Sequence, residues 1–347
     1  MVASNRVWLL FGGLCVVAGP LFAAPAAADD KSDCAGSDPA NGIPACTRLI
    51  EQAGATANTL ADAYVNRAKL HLVASDMDRA LADVEEALRH DASNIDAYHN
   101  RGVAFALQGR YDEALAALEE SIRLNPNAAA ESHHTRGRIY ADLGNWDVAM
   151  AEFDAAIRID PNHVDALISR AAGHRIKGSV ERAIVDLDRA LGIDPENAEA
   201  YASRGALYIT TSRFAEGIAD LDRAIALDPN GGRAYGSRGT AYLLQRQFDR
   251  AIVDFDRAIR LEPENGEFYL QRATAYAMQG KAKQAIPDFD QVIRRYPGHV
   301  RSYEIRAAML KRVGRRDEAI ADYRKVLALE PSNEQSKEAL RLFGVEP

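Results

Sequence analysis

Cysteine is scarce: the chain has three in 347 residues, too few for a disulfide-built scaffold or an iron–sulfur site. It has no basic surplus either. The 42 Lys and Arg face 50 Asp and Glu, a net charge of -8, and the two signs interleave. That pattern argues against a nucleic-acid footprint and against a basic helix lying on a membrane. After the first 28 residues, no apolar run is long enough to span a bilayer. Phosphate-loop, zinc-protease, serine-hydrolase and calcium-loop patterns are all missing. Carboxylates are plentiful but recur in register, as a solvated helix face requires, whereas catalytic groups would interrupt the register. These absences leave neither an enzyme nor a cofactor to predict.

The N-terminus reads as an export signal. Arg6 is followed by the uncharged run Val7 to Leu21, and Ala26-Ala27-Ala28 forms a small-residue cleavage site before Asp29-Asp30. The 22 uncharged residues from Val7 to Ala28 also match a retained anchor in length, but Pro20 and Pro25 favour removal of residues 1–28. Cys15 follows Leu14 rather than the small residue that lipoprotein processing needs, so no lipid is expected. Removal leaves 41 basic against 50 acidic residues, a net -9, in a periplasmic or secreted product that does not span a membrane. Cys34 and Cys46 remain, twelve positions apart. An oxidising compartment permits a disulfide between them, contributing about 3 kcal/mol at most. Two free thiols are the alternative.

The body repeats. Pro161, Pro195, Pro229, Pro263, Pro297 and Pro331 stand 34 residues apart, Pro126 precedes them by 35, and Ala92 takes the place of an earlier proline. The resulting blocks are 61–94, 95–128, 130–163, 164–197, 198–231, 232–265, 266–299 and 300–333, with Ala129 the single insertion. Near the start of each block stands an aromatic or apolar residue such as Tyr64, Tyr98 or Tyr201, with His133 and Leu167 as the exceptions. A small residue follows four later: Ala68, Gly102, Gly137, Ala171, Gly205, Gly239, Ala273 or Ala307. This spacing keeps one stripe on one helix face, and the small residue admits a close neighbour. Gly109, Gly144, Gly178, Gly280 and Gly314, or Ser75, Ser212 and Arg246 in their place, punctuate each block before a second helix. That helix carries the large residues Val84, Leu118, Phe153, Leu187, Leu221, Phe255, Phe289 and Tyr323. Asp112, Asp147, Asp249 and Asp317 near its start favour the positive end of the dipole and are candidate caps. The closing Leu/Ile–x–Pro ends it, since proline pushes the preceding residue out of helical geometry.

This pattern resembles the tetratricopeptide repeat in its period and its helix–turn–helix unit. The resemblance implies an all-α, right-handed solenoid of eight helix pairs whose concave groove binds a protein or peptide. Stacking is also required physically, because one 34-residue pair is too small to bury its own apolar faces. The departure from the family is an unbroken column, Arg67, Arg101, Arg136, Arg170, Arg204, Arg238, Arg272 and Arg306, where the family usually has Leu. Two acidic columns match it. One is Asp83, Glu152, Asp186, Asp220, Asp254, Asp288 and Asp322, broken at Ala117; the other runs from Glu85 and Glu119 through Asp154, Asp188, Asp222, Asp256 and Asp290 to a break at Arg324. Ion pairs within or between neighbouring repeats are expected. An arginine ladder open to an anionic ligand is the alternative.

Residues 29–60 form an N-terminal cap segment in which Gly42 to Gly54 reads as a lone second helix; residues 334–347 form a C-terminal capping helix and tail. The stretches 29–40 and 344–347 are expected to be disordered. His99 and His134 share a place in adjacent blocks with His133 alongside, but ordinary histidines are preferred to a metal site. Taking the groove face from the resemblance, early blocks offer Val65, Lys69, His99, Val103, His134 and Arg138. Middle blocks offer Ile168, Arg175, Ile176, Ala202, Ala206 and Ile209, and later ones Leu243, Leu244, Leu270, Thr274 and Met278, then Glu304, Lys311 and Arg312. An apolar track with charged ends suits an extended peptide or a partner helix. The expected function is therefore a protein-binding scaffold of the bacterial cell envelope. The competing readings are a solenoid that self-associates into homo-oligomers and a subunit of an envelope enzyme complex.

Overall fold

The computed structural model describes residues 30–52 and 55–346, so the expected signal segment lies outside the described residues. Among them every regular element is an α-helix, nineteen in all. The described residues divide into two compact units, with the division between residues 173 and 174. The first holds α1 (Asp30–Ala35), α2 (Pro39–Glu51), α3 (Ala57–Val73), α4 (Met77–His90), α5 (Ile95–Leu107), α6 (Tyr111–Leu124), α7 (Ala130–Asp142) and α8 (Trp146–Ile159). The boundary falls in α9 (Val164–Ile176). The second unit continues with α10 (Val180–Ile193), α11 (Ala198–Thr210), α12 (Phe214–Leu227), α13 (Gly232–Leu244) and α14 (Phe248–Leu261). It closes with α15 (Gly266–Met278), α16 (Ala282–Arg295), α17 (Val300–Arg312), α18 (Arg316–Leu329) and α19 (Glu334–Leu342).

Within each unit the packing is local and repetitive. In the first, α3 packs on α4, α5 on α6 and α7 on α8, and each pair meets the next through α4 with α5 and α6 with α7. In the second, the pairs α11 and α12 through α17 and α18 stack in the same way, and α19 covers the last of them. The chain is thus an all-α, helix-pair repeat protein.

Glycine explains how closely the pairs approach. A Cβ added at Gly102 would fall 2.6 Å from Leu118 Cγ, at Gly137 2.6 Å from Phe153 Cε1, and at Gly239 2.8 Å from Phe255 Cε1. Each clash is with the large residue of the second helix in the same pair. Phe153, Phe255 and Phe289 are among the largest fully buried side chains, so this contact is the core of each repeat.

The turn inside each pair needs one residue in the left-handed region. Gly109 (φ 75°), Gly144 (φ 78°), Gly280 (φ 75°) and Gly314 (φ 80°) supply it, and Ser75 (φ 58°), Ser212 (φ 61°) and Arg246 (φ 61°) adopt the same geometry despite their side chains. After α5, the Arg110 N–H donates to the Phe105 carbonyl at 2.9 Å and the Gly109 N–H to that of Ala106 at 3.0 Å, the pairing of a Schellman motif. The residue before Pro161 is extended, Asp160 at φ -120° and ψ 98°, and there the second helix stops.

Two expectations need correction. Asp112, Asp147, Asp249 and Asp317 lie within the first helical turn, where they meet the dipole but do not cap; the cap positions are Arg110, Asn145, Gln247 and Arg315. Only Asn145 of these four accepts a cap hydrogen bond through its side chain. Residues 30–35 are helical rather than disordered. Cys34 is joined to Cys46 by a disulfide, and Arg48 Nη2 reaches Asp30 Oδ1 at 2.6 Å, so the segment is tied to α2 at both ends. Cys46 and Gly42 of α2 in turn pack against Leu70 of α3.

Candidate partner-binding face

The arginine column occupies the middle of the first helices and joins three helices at a time. Arg238 donates from Nε and Nη2 to Asp254 of its own pair, at 2.8 and 2.7 Å, and from Nη1 to Asp222 of the preceding pair at 2.6 Å. Arg204 does the same with Asp220 and Asp188, Arg272 with Asp288 and Asp256, and Arg306 with Asp322 and Asp290. Every partner stands 16 residues before or after its arginine. The own-pair acid is buried and the preceding one is open: the Asp254 and Asp222 side chains are 5 % and 55 % exposed. Hydrogen bonds to Asp254, with smaller help from Asp222, raise the Arg238 pKa further above its already high value, against the opposing effect of burial.

In the first three repeats the clamp is incomplete. Arg67 holds Asp83 but turns Nη1 to Thr47 Oγ1 of α2 at 2.9 Å, so the cap helix provides a hydroxyl where later repeats provide a carboxylate. Arg101 faces the break at Ala117 and lies over the Phe105 ring, 5.7 Å from its centroid. Arg136 reaches Glu152 at 2.7 Å, but its Nε is buried without a partner. The Ala129 insertion moves Glu119 one residue away from the regular spacing of 16. Arg170 pairs with Asp154 at 2.8 Å.

The candidate groove residues separate into two sets. Val65, Val103, His134, Ile168, Ile209 and Leu243 are only 6–8 % exposed and do not offer a surface to a ligand. The next first helix covers several of them: Val65 packs with Ala97 of α5, Ile209 with Ala234 and Ala241 of α13, and Leu243 with Ala275 of α15. One stripe of a helix faces both groove and neighbour, and spacing within that helix cannot tell them apart. Lys69, Arg175, Ile176, Leu244, Met278, Lys311 and Arg312 are exposed, while His99, Arg138, Ala202, Ala206, Leu270, Thr274 and Glu304 are partly buried. In the second unit Ile176, Leu244 and Met278 take the same place near the end of their first helices, each at least half exposed.

The histidines also separate. His133 turns to Glu152, with Nδ1 2.7 Å from Oε2, and leaves the His99 and His134 side. His99 Nδ1 lies 3.2 Å from Ser132 Oγ, and burial holds the His99 pKa below its ordinary value. Burial, helped by the charge of His163, lowers His134 to about 3. His163, which the sequence reading did not single out, places its ring 5.0 Å from that of His134. Burial opposes protonation of His163, but Glu131 overrides it and raises the pKa; in return His163 brings Glu131 down to about 2. One signal for His163 lay in the repeat register, where Asn94, Asn197, Asn265 and Asn333 hold the same place.

Family models described as tetratricopeptide repeat match residues 95–128 and 130–163, and overlapping matches at 203–266, 237–300 and 270–334 carry the same description. One described as TPR repeat matches 174–212. Among solved structures, the chain is similar to one in the APC/C hetero-tetramer Cut9-Hcn1, with TM-score 0.63 and 18 % identity over 86 % of this chain. It spans only 58 % of that relative's length. It is also similar to pilF of Pseudomonas aeruginosa, with TM-score 0.56 and 21 % identity, covering 61 % of this chain and 97 % of that one. PilW, a type IV pilus biogenesis factor, gives TM-score 0.56 and 21 % identity over 61 % of this chain and 99 % of its own. These likenesses concern the fold. No curated protein matches the chain.

Proposed function

Because this chain belongs to the tetratricopeptide repeat family, we propose that it is a scaffold that binds an extended peptide or a helix of a partner protein on the exposed face of its first helices. The observation that carries this reading is the register of Ile176, Leu244 and Met278. Three exposed apolar side chains at one repeat position, with Arg175 at one end of the series and Lys311 and Arg312 at the other, favour an apolar segment bearing acidic flanks. Recognition is favoured over catalysis, since the carboxylates are committed to helix surfaces and arginine clamps. The cell envelope or the medium is the proposed location. The N-terminal signal pattern supports it, as does a disulfide, which persists in oxidising compartments. Among the described residues no helix is long and apolar enough to cross a membrane.

Crosslinking in the native envelope followed by mass spectrometry tests the reading, with the double variant Leu244→Glu and Met278→Glu as control. The wild type is expected to yield a heterotypic partner that the variant loses, with unchanged helicity because both side chains are exposed. Equal capture by the variant would refute the assigned face. Concentration-dependent oligomers with no other partner would favour self-association instead.

A further inference from the structure

We propose that Glu131, His134 and His163 bind a divalent transition-metal ion, zinc by their ligand set, and that the ion ties α7 to the turn entering α9. One ligand atom from each residue lies within 4.8 Å of those of the other two. His134 and His163 are buried, 6 % and 7 % exposed, and their rings stand edge to face. The decisive atom is His163 Nε2, which is buried and makes no hydrogen bond. The nearest Glu131 oxygen is 3.6 Å away, within ion-pair reach but too long for a hydrogen bond. A buried polar atom without a partner is costly, and an ion at the centre of the three groups would satisfy it.

The register points the same way. Asn94, Asn197, Asn265 and Asn333 hold the equivalent position in other repeats, each accepting a cap hydrogen bond from the following helix. His163 and His299 bring an imidazole to that position, and only His163 meets a second one, His134, where the repeat of His299 has Leu270. Two imidazoles and a carboxylate are a known zinc set that leaves a fourth place for water. At zinc bond lengths the ligand atoms would stand roughly 3.3 Å apart, so the site must tighten on binding. The exposed Glu131 side chain has the freedom to close that distance. Ser169 Oγ, 3.0 Å from His134 Nε2, fixes the rotation of that ring. The inference is independent of the partner-binding reading.

The test uses the full chain without a histidine tag, stripped with chelator and titrated with Zn2+ by calorimetry and with Co2+ by visible absorption. The expected result is one saturable site, tetrahedral Co2+ bands and a Zn2+-dependent rise in the thermal midpoint. His163→Asn restores the residue found at this position elsewhere in the chain and should fold, yet bind at least about tenfold more weakly. Glu131→Gln, at an exposed position, should weaken binding similarly. The absence of saturable binding to the wild type would overturn the proposal. So would equal affinity in both variants, which would place the ion on surface acids.

Discussion

Asp254 and Asp222 both grip Arg238, yet they should not be equivalent. Asp254 is buried and takes two of the three hydrogen bonds, whereas Asp222 is more than half exposed and screened by water. Removing a buried acid leaves its guanidinium partly stranded, whereas removing an exposed one only dissolves a surface pair. Asp254→Ala should therefore destabilise by about 3 kcal/mol. Asp222→Ala should cost no more than about 1 kcal/mol. Urea unfolding of the two variants checks the order, and equal losses would mean that the clamp is not polarised in this way. The arginine itself was legible in the sequence as an eightfold column. Its division between one buried and one open acid was not, because the columns give spacing but no depth.

Helix ends show how a repeated element tolerates an unfavourable residue. Gly109 and Arg246 make the same left-handed turn, at φ 75° and 61°, although the second carries a Cβ that this geometry disfavours. The fold holds Arg246 there because the Schellman hydrogen bonds, Gln247 N–H to the Tyr242 carbonyl and Arg246 N–H to that of Leu243, are retained at 2.8 and 2.9 Å. Arg246→Gly should therefore stabilise by about 1 kcal/mol, visible as a higher midpoint in chemical unfolding. A loss of stability would show that the arginine side chain contributes more than the backbone strain costs. The position was readable, since the sequence places Ser75, Ser212 and Arg246 where other blocks have glycine. The small position at Gly239 and the large one at Phe255 were readable too, but that they meet each other came from the structure.

Within each unit, contacts link a helix pair to its immediate neighbours, so stability should be local and transmitted stepwise. The Cys34–Cys46 disulfide ties α1 to α2, and α2 packs on α3. Reducing it should speed amide exchange in α2 and α3 while leaving α15 to α18 unchanged, as peptide-resolved hydrogen exchange would show. Uniform acceleration along the chain would instead mean that the array unfolds as one cooperative body.

The number of helix pairs, their turns, their small and large positions and their family were legible in the sequence alone, because spacing, proline stops and left-handed turn residues act within one repeat. Tertiary structure decided what depends on the neighbouring repeat. It buried Val65, Ile209 and Leu243 beneath the next first helix while leaving Leu244 and Met278 open, and it gave each clamp a deep and a shallow acid. It also brought His163 to His134 across 29 residues, a distance in the chain over which no helical period carries information.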